Sequence, residues 1–381
     1  MKLNKGKWEK CVMEDLVDEA SDRVENPSQS EYQKFVGLEE FETGQFKIRK
    51  WTTTENLVSA MKLFKSGDIL IARRNAYLRR ASQVDFDGVC SGDAIVLRLK
   101  TKVEKIILTY LLNTNKFWEY AIANAAGTMS KRVKWRDLAY YSFLLPPPEE
   151  QTQIAELFQS IETAIEQAEQ QEKNLLKLKK TLSNGLVNNE PVFGNLLSKK
   201  NCTPTNFGGV ADCIEQHDKQ KKDVNRFIGL ENIEPEKLSI STWGNIADGT
   251  TFTKKFSKGD VLFGKRRAYL KKVAIADFDG ICSGDILVLR AKDKKMLQEL
   301  LPFYVSAEAF INHAVSTSAG SLSPRTKWKD LSLFEISIPD LKTQEKILEV
   351  FQQIETTLSQ LKTQKQTLKN LKQKLLNEIL G

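Results

Sequence analysis

The chain has 381 residues, of which 41% are hydrophobic and 28% are charged, and its formal net charge at pH 7 is +8. This composition is typical of a globular protein and excludes a disordered chain, and the length favours two or more domains. No run of about 18 apolar residues occurs, and no apolar segment follows the basic N-terminus, so we expect a cytoplasmic protein without a membrane span.

Cysteine and histidine give no sign of catalysis or metal binding. Five cysteines, none in a C-x-x-C pair, argue against a disulfide framework. Cys213 and His217 have the spacing of two ligands on a helical turn, but no second pair accompanies them, so we predict no metal site. The sequence also contains no Walker loop, no G-x-G-x-x-G, no H-E-x-x-H and no Asn/Asp-Pro-Pro-Tyr motif. We therefore predict no catalytic residue in this chain.

An internal repeat covers nearly the whole sequence. Residues 35–39 (FVGLE) recur as residues 227–231 (FIGLE), which is an offset of 192. At the same offset, RRNAYLRR at 73–80 matches KRRAYLKK at 265–272, and DFDGVCSGD at 85–93 matches DFDGICSGD at 277–285. After one inserted residue the offset is 193, and WRDL at 135–138 matches WKDL at 328–331. Because the repeat is far longer than a solenoid unit, it indicates a duplicated module.

The first part of each module mixes short strands with helices. Residues 68–72 and 93–98 are β-rich runs bounded by turn residues, and residues 102–125 and 294–315 have helical patterns. We therefore predict an α+β fold with two similar globular domains, residues 1–148 and 188–339.

The second part of each module predicts a long helix. Proline, which suits the first turn of a helix, stands at 146–148 and at 339, and each is followed by a segment with heptad spacing of apolar residues. These segments, 149–187 and 340–381, predict helices of about 55 Å for about 37 residues. The predicted seam comprises Ile154, Phe158, Ile161, Ile165, Leu175 and Leu182 in the first helix and Ile347, Phe351, Ile354, Leu358, Leu361, Leu368 and Leu375 in the second.

A helix of this length needs another helix beside it, and its own copy is the obvious partner. The alternative is that each helix packs independently on its own domain. We expect a long antiparallel two-helix coiled coil that separates the two globular domains and gives the single chain an internal pseudo-two-fold axis.

Two basic clusters, each present in both modules, predict DNA binding: residues 73–80 and 130–136 in the first module match residues 265–272 and 323–329 in the second. Lys and Arg supply phosphate contacts, while Arg and Asn can read purine edges in the major groove. The alternative is a solvated basic face around a core aromatic. The predicted DNA-binding residues are Arg73, Arg74, Asn75, Tyr77, Arg79, Arg80 and Arg132 in the first module and Lys265, Arg266, Arg267, Tyr269, Lys271, Lys272 and Arg325 in the second.

Paired tryptophans are predicted to be structural instead. Trp51 matches Trp243, and Trp135 matches Trp328. Because tryptophan is highly buried on average, we expect these side chains in the cores or between packed elements.

The sequence resembles the specificity (S) subunit of type I restriction–modification systems. The resemblance is carried by FIGLEN at 227–232, GDVLFGKR at 259–266, residues 268–285, VLR at 288–290 and the helix openings at 144–151 and 338–344. The order also matches that family: a target-recognition domain and a spacer helix, twice. The segment RRN at 73–75 departs from the more usual Gly-Lys-Arg of the family.

The resemblance implies a non-catalytic subunit that reads one half of a split double-stranded DNA site with each target-recognition domain. It further implies two modification (M) subunits, which use S-adenosylmethionine to methylate adenine, and restriction (R) subunits, which use ATP and Mg. No cofactor is expected in this chain. The alternatives are a duplicated protein-binding scaffold without sequence-specific DNA recognition and a catalytic polypeptide, which the missing motifs disfavour.

Overall fold

The computed structural model describes residues 3–100, 105–127, 130–188, 193, 197, 201–221 and 224–381. The chain divides into two compact units. Unit 1 comprises Met1–Glu169 and Thr363–Gly381, and unit 2 comprises Gln170–Lys362. None of the described helices combines the length and the apolar composition that a membrane span needs.

Unit 1 is an α+β domain. Its strands are β1 (Glu9–Val12), β2 (Val17–Glu19), β3 (Arg23–Val24), β4 (Lys34–Val36), β5 (Thr52–Thr53), β6 (Met61–Phe64), β7 (Ile69–Ala72), β8 (Ala81–Gln83), β9 (Gly88–Cys90), β10 (Ala94–Leu99) and β11 (Ser142–Leu145). Its helices are α1 (Met13–Leu16), α2 (Lys105–Leu111), α3 (Asn115–Ala123) and α4 (Trp135–Leu138), followed by α5 (Pro148–Asn188), which extends into unit 2.

The described strands of unit 1 form sheets of order β2-β10-β7-β8 and β3-β6-β9-β4-β5, and β1 pairs with β11. Strand β10 is central and begins with four buried apolar residues, because both of its faces are covered. Arg98 on β10 donates to both oxygens of the buried carboxylate of Asp68 at 3.0 and 2.7 Å. This pair fixes β10 against the start of β7.

Unit 2 has corresponding elements. Its strands are β12 (Cys202–Asn206), β13 (Ala211–Cys213), β14 (Arg226–Ile228), β15 (Gly244–Asn245), β16 (Lys254–Phe256), β17 (Val261–Gly264), β18 (Val273–Ile275), β19 (Gly280–Cys282), β20 (Ile286–Ala291) and β21 (Glu335–Pro339). Its helices are α6 (Leu301–Val305), α7 (Glu308–Ser316) and α8 (Trp328–Leu331), and α9 (Leu341–Leu380) begins in unit 2 and ends in unit 1.

The described strands of unit 2 form sheets of order β13-β20-β17-β18 and β15-β14-β19-β16 and the pair β12-β21, which repeats the topology of unit 1 except that no described strand corresponds to β3. Arg290 and Asp260 repeat the pair of Arg98 and Asp68, at 2.7 and 2.8 Å. The predicted fold class, two similar α+β domains, is confirmed.

Each predicted helical stretch between the sheets is two short helices. In unit 1 the described part of residues 102–125 contains α2 and α3, and residues 102–104 lie outside the described residues. Thr114 interrupts the stretch because its side chain caps α3 by accepting from the Phe117 amide at 3.3 Å. In unit 2 the break falls at Ala307, whose backbone is extended.

The start of α5 packs beside the end of α9 within unit 1. The predicted seam residues Ile154, Phe158, Ile161 and Ile165 are buried in one hydrophobic cluster, to which Leu368 and Leu375 are partly buried contributors. Glu162 contacts Lys372 at 2.6 Å and Glu169 contacts Lys369 at 3.4 Å, so a later residue of α5 faces an earlier residue of α9. The two helices are therefore antiparallel in unit 1.

The end of α5 and the start of α9 contribute to the core of unit 2 in the same way. The predicted seam residues Leu182, Ile347, Phe351 and Ile354 are buried in its cluster, Leu175 and Leu358 pack against it, and Leu361 is also buried. Lys179 pairs with Glu355 at 2.5 Å.

An asparagine on each long helix ties that helix to a domain. The Asn377 side chain accepts from the amide of Asn115 at the start of α3, and Asn184 accepts from the amide of Glu308 at the start of α7, both at 2.8 Å. Residues 189–192 and 194–196, in the segment that follows α5, lie outside the described residues. The predicted domain boundaries stay predictions.

Candidate nucleic-acid interface

Residues 73–80 and 265–272, here called basic loop 1 and basic loop 2, have the same unusual backbone. Loop 1 follows β7 and loop 2 follows β17, and each contains a single 3₁₀ turn of sequence Ala-Tyr-Leu. Left-handed residues flank both turns: Asn75 (φ 56°) and Arg79 (φ 53°) in loop 1, and Arg267 (φ 53°) and Lys271 (φ 51°) in loop 2. Such residues cost about 1–3 kcal/mol each and cluster at functional sites.

Neighbouring backbone holds each loop in this conformation. In unit 1 the Arg73 amide donates to Asp93 O at 3.0 Å, and the Asn75 amide donates to Lys131 O at 3.2 Å. In unit 2 the Lys265 amide donates to Asp285 O at 2.9 Å, and the Arg267 amide donates to Pro324 O at 2.7 Å. The structure thus brings the two predicted basic clusters of each module together.

A single carboxylate lies at the centre of each cluster. In unit 1, Asp93 accepts from Arg132 Nε at 2.9 Å and from Arg73 Nε at 3.4 Å, and Arg74 Nη1 lies 4.0 Å away. The Arg132 hydrogen bond lowers the pKa of Asp93 below its ordinary value. Asp93 is therefore ionised at neutral pH and orients guanidinium groups that would otherwise repel one another.

The second unit repeats this arrangement. Asp285 accepts two hydrogen bonds from Arg325, at 2.7 Å from Nε and 3.0 Å from Nη2, and Arg266 Nη1 lies 3.7 Å away. The Arg325 hydrogen bonds lower the pKa of Asp285. Sequence reasoning missed both aspartates, although the identical Ser-Gly-Asp turns of the repeat contain them.

The cations at the C-terminal end of each loop have partners within their own unit. Arg79 donates to Asn115 Oδ1 at 2.6 Å, and Arg80 donates to Leu38 O at 2.7 Å. Burial lowers the pKa of Arg80. In loop 2, Lys271 donates to Glu308 at 2.9 Å and Lys272 donates to Leu230 O at 2.6 Å. These four side chains anchor the loops, and their DNA contacts stay predictions.

The middle of each loop faces outward. Tyr77 is 65% exposed and Tyr269 is 53% exposed, so the alternative of a core aromatic is wrong for both. Arg74 and Arg267 are exposed as well. Arg74 Nε donates to Ser130 Oγ at 2.9 Å, and Arg267 Nη2 donates to Leu322 O at 3.2 Å. These contacts leave further guanidinium N–H groups of both arginines for a ligand.

The prediction that Trp51 and Trp243 lie in the core is wrong. Their side chains are 46% and 41% exposed, because each directly precedes a two-residue strand at the end of its described sheet order. By contrast, Trp135 and Trp328 are partly buried against the main hydrophobic clusters of their units, as predicted.

The described residues give no evidence of a reactive thiol or of a metal site. Cys213 ends strand β13 instead of lying on a helical turn, and no group of three or more potential ligands for a metal ion occurs in the described part of the chain. Burial raises the pKa of Cys90, Cys213 and Cys282 to about 12, so these thiols stay protonated at neutral pH.

Comparison with known proteins gives one consistent result. Residues 27–178 and 209–370 match the sequence model of the family described as "Type I restriction modification DNA specificity domain". The chain is 26% identical over 290 residues to the type I restriction enzyme EcoDI specificity subunit of Escherichia coli, which covers 66% of this chain and 64% of that protein. The match thus spans slightly less than two thirds of that relative's length.

Solved structures show the same fold. A structure described as "Structural basis underlying complex assembly and conformational transition of the type I R-M system" has a TM-score of 0.62 at 20% identity, covering 99% of this chain and 98% of the other. The crystal structure of the HsdS subunit from Thermoanaerobacter tengcongensis has a TM-score of 0.50 at 21% identity, covering 99% and 97%. The S subunit from M. genitalium has a TM-score of 0.54 at 13% identity, covering 100% and 98%.

Proposed function

Because this chain belongs to the type I restriction–modification DNA specificity family, we propose that it is the DNA-reading subunit of such a complex. Each of its two domains reads one part of a split double-stranded DNA site. The chain supplies recognition, and the chemistry belongs to partner subunits in the cytoplasm.

One observation carries this proposal: a loop with the same backbone and the same aspartate-centred cluster of cations occurs once in each unit. Guanidinium groups that are held in place neutralise phosphates with a smaller loss of side-chain entropy than mobile ones. Phosphate contacts supply the sequence-independent part of DNA affinity and fix the position of the protein on the duplex. Two such loops in one chain suit a site with two parts.

The proposed partners follow from the family and from the duplication. Modification subunits would bring S-adenosylmethionine and methylate adenine, and restriction subunits would bring ATP and Mg. Because the two modules repeat the same elements, each offers an equivalent docking surface, and we expect two modification subunits per chain. Native mass spectrometry of the purified methyltransferase tests this number, and a complex with one modification subunit would contradict it.

The test of DNA reading uses the assembled methyltransferase. Co-expression with a type I modification subunit that binds this chain, followed by footprinting on a DNA library, should give protection that depends on sequence. Replacing Arg266 and Arg267 by alanine should weaken binding about tenfold and reduce the slope of log K against log salt by roughly one to two, because fewer counterions are released.

The matched control is Lys258→Ala. This exposed cation precedes β17, whereas basic loop 2 follows that strand, so the salt dependence should be unchanged in the control. An unchanged salt slope in the double variant would remove basic loop 2 from the interface. Binding of the modification subunit without sequence-dependent protection would instead favour the scaffold function.

A further inference from the structure

Each unit carries an exposed tryptophan with a cation lying on its ring. In unit 1 the group consists of Lys34, Trp51 and Phe86. In unit 2 Arg226, Trp243 and Phe278 occupy the equivalent positions, each at the repeat offset of 192 residues. We call these groups cation–tryptophan pair 1 and pair 2.

The geometry of the two pairs is similar. Lys34 Nζ lies 4.5 Å from the centroid of Trp51 and 4.4 Å from that of Phe86. Arg226 Cζ lies 4.4 Å from the centroid of Trp243 and 4.9 Å from that of Phe278. The two rings of a pair contact each other, with centroids 5.1 Å apart in pair 1 and 5.7 Å apart in pair 2. Each cation is therefore held by two aromatic side chains.

The strands fix where each pair lies. Lys34 on β4 is opposite Thr53 on β5, and Arg226 on β14 is opposite Asn245 on β15. Strands β5 and β15 stand at the end of their described sheet orders, and the tryptophan directly precedes that strand. Sheet pairing thus places an indole and a cation side by side at a sheet edge.

Core packing does not account for this arrangement. A tryptophan with more than two fifths of its surface exposed gives up much of the stabilisation that burial would bring. Neither the Lys34 ammonium nor the Arg226 guanidinium makes a hydrogen bond or an ion pair with another described residue. Stacking on an aromatic face restricts a guanidinium while leaving its N–H donors available.

We propose that these cations read bases, Arg226 in the part of the DNA site that unit 2 recognises and Lys34 in the part that unit 1 recognises, and that Arg226 selects a guanine. This proposal rests on the proposed function. Arg donates two parallel hydrogen bonds to O6 and N7 of guanine in the major groove, and Lys reaches the same atoms as a point charge. The aromatic rings orient the donors.

The difference between the pairs supports a role in specificity. Arg74 and Arg266 occupy the same position in the two basic loops, and an aspartate lies at the centre of each cluster, as expected for phosphate contacts that do not depend on sequence. The tryptophan and phenylalanine of the pairs are also identical, but the cation changes from Lys34 to Arg226. Two domains that read different base sequences need different hydrogen-bond donors. In these pairs only the donor differs, and the aromatic rings that hold it are the same.

The test separates base reading from packing through the conservative variant Arg226→Lys. This variant keeps the positive charge and the contact with Trp243 but loses the bidentate donor. In the assembled methyltransferase, methylation kcat/KM is measured on duplexes that carry each base at each position of the site. We expect the preference for guanine to fall about 10- to 100-fold at one position of one part of the site, with the other part unchanged.

Lys34→Arg is the matched control, since it should alter base preference only in the part of the DNA site that unit 1 recognises. Arg226→Ala should relax the base preference at the same position of the site as Arg226→Lys, and its melting temperature checks that the variant is folded. If Arg226→Lys keeps the wild-type preference at every position, Arg226 only packs on Trp243 and the inference is wrong. Relaxation at a base other than guanine would overturn the assignment of guanine.

The failure of this inference differs from the failure of the proposed function. Suppose that Arg226→Lys keeps every base preference while the variant lacking Arg266 and Arg267 binds DNA more weakly. The proposed function then stands, and the cation–tryptophan pairs do not read bases. A wild-type complex that methylates without sequence preference would reject both.

Discussion

The two basic loops share a backbone, but the cation that follows the 3₁₀ turn has different side-chain partners in the two units. In unit 1, Arg79 donates to the neutral side chain of Asn115 at 2.6 Å. At the equivalent position in unit 2, Lys271 pairs with the carboxylate of Glu308 at 2.9 Å and lies 3.7 Å from Glu236. The side-chain hydrogen bond that Lys271 donates to Glu308 raises the pKa of Lys271. The conformation of the loops is therefore maintained by recurring backbone contacts, while their net charge is set separately by side chains.

The long helices show a second difference between equivalent positions. In unit 1, Lys372 is buried, pairs with Glu162 at 2.6 Å and donates to Gly44 O at 2.6 Å. Arg49 also contacts Glu162, at 3.4 Å. The equivalent pair in unit 2 is Lys179 with Glu355, whose side chain is 44% exposed. Burial lowers the pKa of Lys372. The two equivalent Lys–Glu pairs therefore lie in different electrostatic environments.

The largest expected effect contrasts these two ion pairs. Lys372→Ala should destabilise unit 1 by about 3–5 kcal/mol, because it leaves the Glu162 carboxylate buried with one partner fewer. Lys179→Ala should cost only about 1 kcal/mol, because solvent stabilises Glu355 in its absence. Denaturant unfolding of the two purified variants measures both values. Equal losses of unfolding free energy in the two variants would show that burial does not determine how much each ion pair contributes to stability.

The next effect concerns the carboxylates at the centres of the two clusters. Asp285→Asn should lower the ratio of specific to non-specific DNA affinity about tenfold, because an NH2 group replaces one of the two oxygens that accept from Arg325 and the loss of the carboxylate adds net positive charge. Asp93→Asn should have a smaller effect, since the second hydrogen bond from Arg132 is long, at 3.5 Å, against 3.0 Å for Arg325. Competition binding with random-sequence DNA measures the ratio, and a ratio that neither variant changes would exclude a role for the aspartates.

The smallest expected effect concerns the net charge of the two basic loops. Glu308→Gln should strengthen DNA binding about two- to threefold and steepen the salt dependence slightly, because it frees the charge of Lys271. Asn115→Asp makes the converse change in unit 1 and should weaken binding by a similar factor. Salt titration of the assembled complex tests both variants. If both shifted affinity in the same direction, the charge argument would be wrong.

Periodic and repeated features of this fold could be predicted from the sequence. Heptad spacing predicted the two long helices, and short β-rich runs predicted the sheets, because both signals are local. The basic loops were also visible, since their cations are adjacent in the chain and recur at a fixed offset.

Features that depend on distant residues were not predicted. Asp93 and Arg132 are 39 residues apart in the chain, and the partner of Lys372 lies on another helix. A lysine in a heptad pattern is normally read as solvated, so its burial required the structure. Trp51 and Trp243 were misplaced because average burial takes no account of sheet edges, and their exposure revealed the cation–tryptophan pairs.

The measurement that tests the central claim most directly is sequencing of methylated adenines in a host that carries this chain and its modification subunit. We expect one motif with two specified parts separated by unspecified bases, since each unit has its own basic loop and its own cation–tryptophan pair. Variants of Arg73 and Arg74 should lower the extent of methylation without changing that motif. A contiguous motif, or methylation without any motif, would contradict the account.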